Sequence, residues 1–168
     1  MINRILRYAM IFALLTLLQL GLFNNIQFSG YVNPYVYIMF IMLLPVETAA
    51  WLLLIISFLT GLLIDLFMST PGMHTSATVF AGFIRPYVLR LISPREGYEA
   101  SSEPSMSVFG FRWYFFYTLI IVFVHHLLLF YLEVFRLTDF LTTFLRVILS
   151  SLFTSIFILL LEYMRRGK

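Results

Sequence analysis

The chain has 168 residues, 61% of them hydrophobic and only 11% charged, and its mean hydropathy is +0.95. A soluble globular domain is nearer half apolar and a quarter charged. A water-soluble enzyme or binding domain is therefore excluded, and one polytopic transmembrane domain is predicted over residues 1–168. The net charge of +3 comes from basic residues at the ends of apolar runs, which marks topology and not nucleic-acid binding, and the absence of cysteine removes disulfide and thiol chemistry.

The pattern predicts an all-α protein of six transmembrane helices. The first covers residues 5–23, with Arg4 and Arg7 at its start. It is too long for a signal-peptide core, and Asn24-Asn25-Ile26-Gln27 offers no small-x-small cleavage site, so an uncleaved span with a cytoplasmic amino terminus is expected. Within it Ala9 and Ala13 form a small-xxx-small pair suited to close approach of another helix. An uncharged loop leads to the second span, residues 31–47. It reaches membrane length only by starting near Tyr31 and running through Pro45 to Glu47 as a kinked helix.

The third span covers residues 50–67 and carries Asp65 near its end. A turn at residues 69–73 precedes the fourth span, residues 75–92, with Arg85-Pro86 inside it. Residues 93–112 contain Arg95, Glu96, Glu99 and Glu103 among Ser, Gly and Pro, and read as a mobile cytoplasmic segment. The fifth span, residues 113–132, holds His125-His126, and the sixth covers residues 141–163. Six spans put both ends in the cytoplasm. On that layout Arg4, Arg7, Arg90, Arg95, Arg112, Arg165, Arg166 and Lys168 fall inside and only Arg136 and Arg146 outside, a positive-inside bias of eight to two.

Asp65 is the residue that most needs explaining, because insertion scales charge roughly 2.5–3.5 kcal/mol for Asp at a helix centre. It caps its helix or holds the bundle, with Arg146 within geometric reach as a partner, or it binds a partner or ligand, or it relays a proton or ion. The surrounding stretch supplies Gly61, Pro71, Gly72 and His74, with Ser69 and Thr70 shaping the turn. Arg85 cannot deprotonate. It either snorkels to the interface or, the reading preferred here, pairs structurally with an acid such as Glu47. His125 and His126 lie about 100° apart around one helix and lack the i, i+4 spacing of helical metal ligands, so one packed and one lipid-facing or interhelical imidazole is expected, with no metal. No phosphate loop, His-Glu-x-x-His or Gly-x-Ser-x-Gly motif occurs. The residues thus describe a membrane protein without catalytic machinery or cofactor, either a scaffold or a solute-binding subunit.

Asn33-Pro34, Leu44-Pro45-Val46-Glu47, Gly61-Leu62-Leu63-Ile64-Asp65-Leu66-Phe67, Pro71-Gly72-Met73-His74 and Arg85-Pro86 together resemble the rod-shape-determining MreD family. Ser93-Pro94-Arg95-Glu96-Gly97-Tyr98 is similar to the form found in Bacteroidetes-type bacteria. The resemblance implies a multi-pass protein of the bacterial cytoplasmic membrane and a component of the cell-elongation machinery (the elongasome). It implies pairing with an MreC-like single-span protein, and a link between MreB filaments and peptidoglycan synthesis by RodA and its transpeptidase. It also implies a fold similar to the S-components of energy-coupling-factor transporters, which keeps a vitamin-binding transport subunit as the alternative. Gly61, Asp65, Pro71, Gly72, His74 and Arg85 are then the candidate partner-binding or structural residues, and Ala9 and Ala13 the helix-packing pair.

Overall fold

A computed structural model describes residues 2–25, 32–99, 102–135 and 139–166. Tyr31, Arg136 and Lys168, which entered the span and charge arguments, lie outside them. The described chain is nearly all helical, without a strand. Five long helices are α1 (Ile2–Gly21), α3 (Ala50–Met68), α4 (Met73–Leu91), α6 (Phe111–Val134) and α7 (Phe140–Arg166), and two short ones are α2 (Met39–Leu43) and α5 (Met106–Phe109).

Four stretches are long and apolar enough to cross a membrane: Asn3–Asn25, Ala50–Met68, Phe111–Val134 and Phe140–Arg165. Helix α4 has the length, at 19 residues, but its Thr, Ser, His and Arg side chains lower its hydropathy. It lies between α3 and α6, where His74, Thr75, Thr78 and Arg85 are all buried. A helix enclosed by protein can carry polar groups that lipid would not tolerate.

The expected second span is not a continuous helix. Residues 36–38 form a 3-10 turn that runs directly into α2, giving eight helical residues in all. At 1.5–2.0 Å per residue that is about 13 Å, against roughly 30 Å of hydrocarbon. Every residue from Tyr35 to Leu44 is buried. A run that is apolar on all faces belongs inside other helices, and here it forms the pillar of the bundle. Helix α1 packs on this pillar, with Phe12 and Phe40 rings 4.9 Å apart. Helices α3, α4, α6 and α7 pack in sequence around the rest.

Two buried clusters stack along the pillar. One joins Ile38–Leu44 to Leu53, Ala81, Val88, Tyr117, Ile121 and Ile158; the other joins Tyr35 and Tyr37 to Ile64, Ala77, Leu129, Phe130 and Val147. The α3–α4 crossing is very close. A Cβ on Gly61 would sit 2.5 Å from Thr75 Cα and 2.7 Å from the His74 carbonyl oxygen, so only glycine fits.

Parts of the segment expected to be mobile are anchored to the bundle. Its Glu103 carboxylate pairs with Arg7 of α1, accepts from Tyr8 Oη at 2.6 Å, and lies 3.8 Å from Arg165 of α7. Tyr98 donates to the Leu89 carbonyl at 2.6 Å, and burial pushes its phenol above the ordinary range, which keeps it a donor. Ser105 caps α5, and buried Glu162 accepts from the Met106 amide at 3.1 Å. Glu103 thus reports partners at both ends of the chain, while Arg95, Glu96 and Glu99 are exposed.

Candidate functional site

Asp65 sits on the last turns of α3, facing the start of α4. The turn between them uses a left-handed Ser69 (φ 56°) and Gly72 (φ 83°), conformations that a short polar residue and glycine adopt at least cost. This geometry brings the α4 amino terminus back onto the Asp65 carboxylate. Oδ1 accepts from Thr70 Oγ1 and the His74 amide, both at 2.9 Å. Oδ2 accepts from the amides of Gly72 at 3.1 Å and Thr75 at 2.9 Å, and from Thr75 Oγ1 at 2.6 Å. The orphan amides of a helix start are thus satisfied by an anion placed at the positive end of the helix dipole. Pro71 lies exposed in the same turn.

Arg146 does not take part. It pairs with Glu133, Nη1 to Oε1 at 3.1 Å, and its guanidinium lies 4.3 Å from the centroid of the Phe130 ring. Backbone amides reach Asp65 first because the tight turn delivers them locally.

Arg85 is fully buried, and among the described residues it pairs with no carboxylate, so the expected Glu47 contact is absent. Its Nε donates to Tyr117 Oη at 2.9 Å, and its terminal nitrogens face the carbonyls of Met42, Leu44 and Pro45. Tyr117 donates on to the Met42 carbonyl at 3.1 Å. These are the carbonyls released where α2 stops. Non-helical backbone at membrane depth is tolerated only where protein satisfies it, and the planar fork of one arginine reaches several carbonyls together.

The other end of the pillar is treated alike. Gln19 Oε1 accepts from the Val36 amide at 2.8 Å while Gln19 Nε2 donates to the Pro34 carbonyl at 3.2 Å. The amides of Asn33 and Tyr35 donate to Ser150 Oγ and Thr154 Oγ1, each at 3.1 Å.

Both histidines of the pair on α6 are fully buried and hydrogen-bonded, so neither faces lipid. His126 Nδ1 lies 2.9 Å from the Val122 carbonyl, which can only accept, so Nδ1 carries the proton. His126 Nε2 then accepts from Thr154 Oγ1 at 3.0 Å. His125 Nε2 lies 2.7 Å from Tyr37 Oη, and Tyr37 Oη lies 3.0 Å from His74 Nδ1. A chain of polar side chains thus runs from His74 on α4 through Tyr37 and His125 towards α7. Among the described residues no group of three or more His, Cys, Asp or Glu is arranged to hold a metal.

Of the predicted residues, the fold gathers Gly61, Asp65, Gly72 and His74 at one turn and sets Arg85 apart, nearer the opposite end. Sequence reading missed Gln19, Tyr37, Tyr117, Thr154 and Glu162. Polar residues inside apolar runs are the signal that could have found them, because each must reach a partner in lipid. Ala9 and Ala13 are exposed, and α1 packs chiefly on the pillar.

Two concavities flank these elements. A groove of about 730 Å³ separates α1 from α3. It is walled by Ile5, Ala9, Phe12, Leu52, Ile56 and Leu59 and floored by Phe40 and Leu44, with Arg4 and Glu47 at one end. A polar cavity of about 260 Å³ lies beside the Asp65 turn and is lined by Asn24, Asn33, Tyr35, His74, Glu133 and Arg146 among others. Comparison with protein-family models, curated proteins and solved structures gave no match.

Proposed function

We propose that this chain is a non-catalytic scaffold of the bacterial cytoplasmic membrane, whose groove between α1 and α3 seats the transmembrane helix of a single-span partner. The observation that carries this reading is the groove itself. Two helices of membrane-spanning length stand apart over a floor of buried side chains, and both turn large apolar residues outward. Its α3 wall, from Ala49 to Thr60, is about 17 Å long at 1.5 Å per residue, which is enough for three turns of a guest helix. Ala9, Ala49 and Thr60 keep the walls low, and small residues let helix backbones approach closely in lipid. Arg4 and Glu47 at the groove's end offer both signs of charge to the flanks of such a helix.

The intramembrane polar groups support the scaffold reading from inside. Asp65, Arg85, Gln19 and the histidine chain are engaged in holding the broken pillar and its turns. The resemblance to MreD supplies the identity of the partner, an MreC-like protein. Through it the scaffold regulates peptidoglycan synthesis by RodA and its transpeptidase and is linked to MreB filaments, with six membrane crossings and cytoplasmic ends. Placing the end with Arg7, Glu103 and Arg165 in the cytoplasm satisfies the positive-inside bias. The alternative, a vitamin-binding S-component, would seat its ligand beside the Asp65 turn, where the cavity of about 260 Å³ falls below the roughly 300–1,000 Å³ usual for ligand sites.

Ala9→Phe fills the groove without touching the core, and the chain has no cysteine, so a cysteine introduced at position 9 is a unique crosslinking probe. The expected result is normal accumulation of Ala9→Phe with loss of the co-purifying single-span protein, and a crosslink from Ala9→Cys to that protein's membrane helix. An unchanged complex with no crosslink would overturn the groove. Co-purification of a coupling subunit with ATPases would overturn the scaffold.

A further inference from the structure

The cavity beside the Asp65 turn is built from every part of the bundle. Phe23 follows α1, Tyr35 tops the pillar, Met68 ends α3, His74 starts α4, Glu133 ends α6 and Arg146 lies near the start of α7. Its charged wall is an ion pair with spare capacity. Arg146 Nη1 and Glu133 Oε1 are 3.1 Å apart, while Arg146 Nε is buried with no hydrogen-bond partner. A buried donor left unmade is costly, and this one belongs to a guanidinium that lines a cavity. Phe130 closes the face of that guanidinium.

We infer that this cavity is a binding site for a small zwitterion of amino-acid type, with the carboxylate on Arg146 and the ammonium on Glu133. The charge balance selects the class. Arg146 and Glu133 already neutralise each other, so a lone anion or lone cation would enter a partly desolvated site as an excess charge. A zwitterion brings one charge for each member of the pair and leaves the site neutral. Its carboxylate shares the terminal nitrogens of the Arg146 fork with Glu133, a planar match that guanidinium and carboxylate make well. The neutral polar groups of Asn24, Asn33, Thr70 and His74 supply further hydrogen bonds, and Met73 and Leu129 leave an apolar corner for a short side chain. The volume, about 260 Å³, admits a solute of a few heavy atoms and not a vitamin-sized ligand.

The cavity lies at the opposite end of α3 from the groove, so this inference stands or falls separately from the scaffold reading. The test is isothermal titration of the purified full-length protein with glycine, L-alanine and D-alanine. Alaninamide and N-acetylalanine, each lacking one charge, are the comparison ligands, with acetate as the simple anion. The expected result is saturable binding of at least one amino acid, about tenfold or more tighter than its singly charged relatives. Glu133→Gln should abolish that preference for the zwitterion, and Arg146→Gln should abolish binding. Glu133 is partly exposed, so its variant reports even if Arg146→Gln fails to fold. Absence of saturable binding by any of the amino acids, or equal binding of acetate, overturns the inference.

Discussion

Replacing Asp65 by Asn keeps the shape of the side chain and removes its charge, and the hydrogen bonds around it set the cost. Asn offers one oxygen where the carboxylate offers two. In the better of its two orientations the oxygen keeps the amides of Gly72 and Thr75, and the NH₂ group then faces the His74 amide. Thr70 can rotate its hydroxyl to accept, but a backbone amide cannot. One buried N–H is orphaned at about 1–3 kcal/mol. Loss of an anion at the α4 amino terminus adds about 0.3–1 kcal/mol, and up to ~2 where partly buried. The surviving bonds lose their charge assistance. The two terms sum to about 1–5 kcal/mol, up to a large share of the roughly 5–15 kcal/mol that holds a typical protein folded. Thermal unfolding of the detergent-purified protein should show a midpoint lowered by about 10 °C, and accumulation in membranes should fall in step. Adding Thr75→Val to this variant should cost less than Thr75→Val alone, since both act on one network. A variant with native accumulation and midpoint would refute the reasoning. If that variant also lost its partner, Asp65 would be an electrostatic docking residue.

The same geometry predicts three further outcomes. Gly61→Ala forces a methyl against Thr75 backbone and should cost about 1–3 kcal/mol or more. Gly82→Ala meets mainly the Ser57 side chain, which can yield, and should cost clearly less in the same unfolding assay. Arg85→Met leaves the carbonyls at the end of α2 without donors and should abolish accumulation by immunoblot. Arg85→Lys should not restore it, because a single ammonium cannot span carbonyls at positions 42, 44 and 45 while reaching Tyr117. Tyr37→Phe removes the hydroxyl between His74 and His125 and should lower stability by about 1–3 kcal/mol, with backbone structure retained by circular dichroism.

Composition and periodicity were enough for the coarse architecture. Apolar runs of about 20 residues point to helices in lipid, since a helix satisfies every backbone group within its own segment, and α1, α3, α6 and α7 fall close to the spans read from hydropathy. The Gly61–His74 stretch was legible for the same reason, because a carboxylate next to a Pro-Gly break is costly unless a partner is close. What the sequence alone could not decide was who meets whom. Residues 35–44 have the same apolar character whether lipid or protein surrounds them, and only the tertiary structure decided that other helices do. Once that segment stops short, its free carbonyls and amides fix the roles of Arg85, Tyr117, Gln19 and Thr154, which no local spacing connects to it. Hydropathy reports how much a residue avoids water. Which surface covers it is a property of the packed bundle.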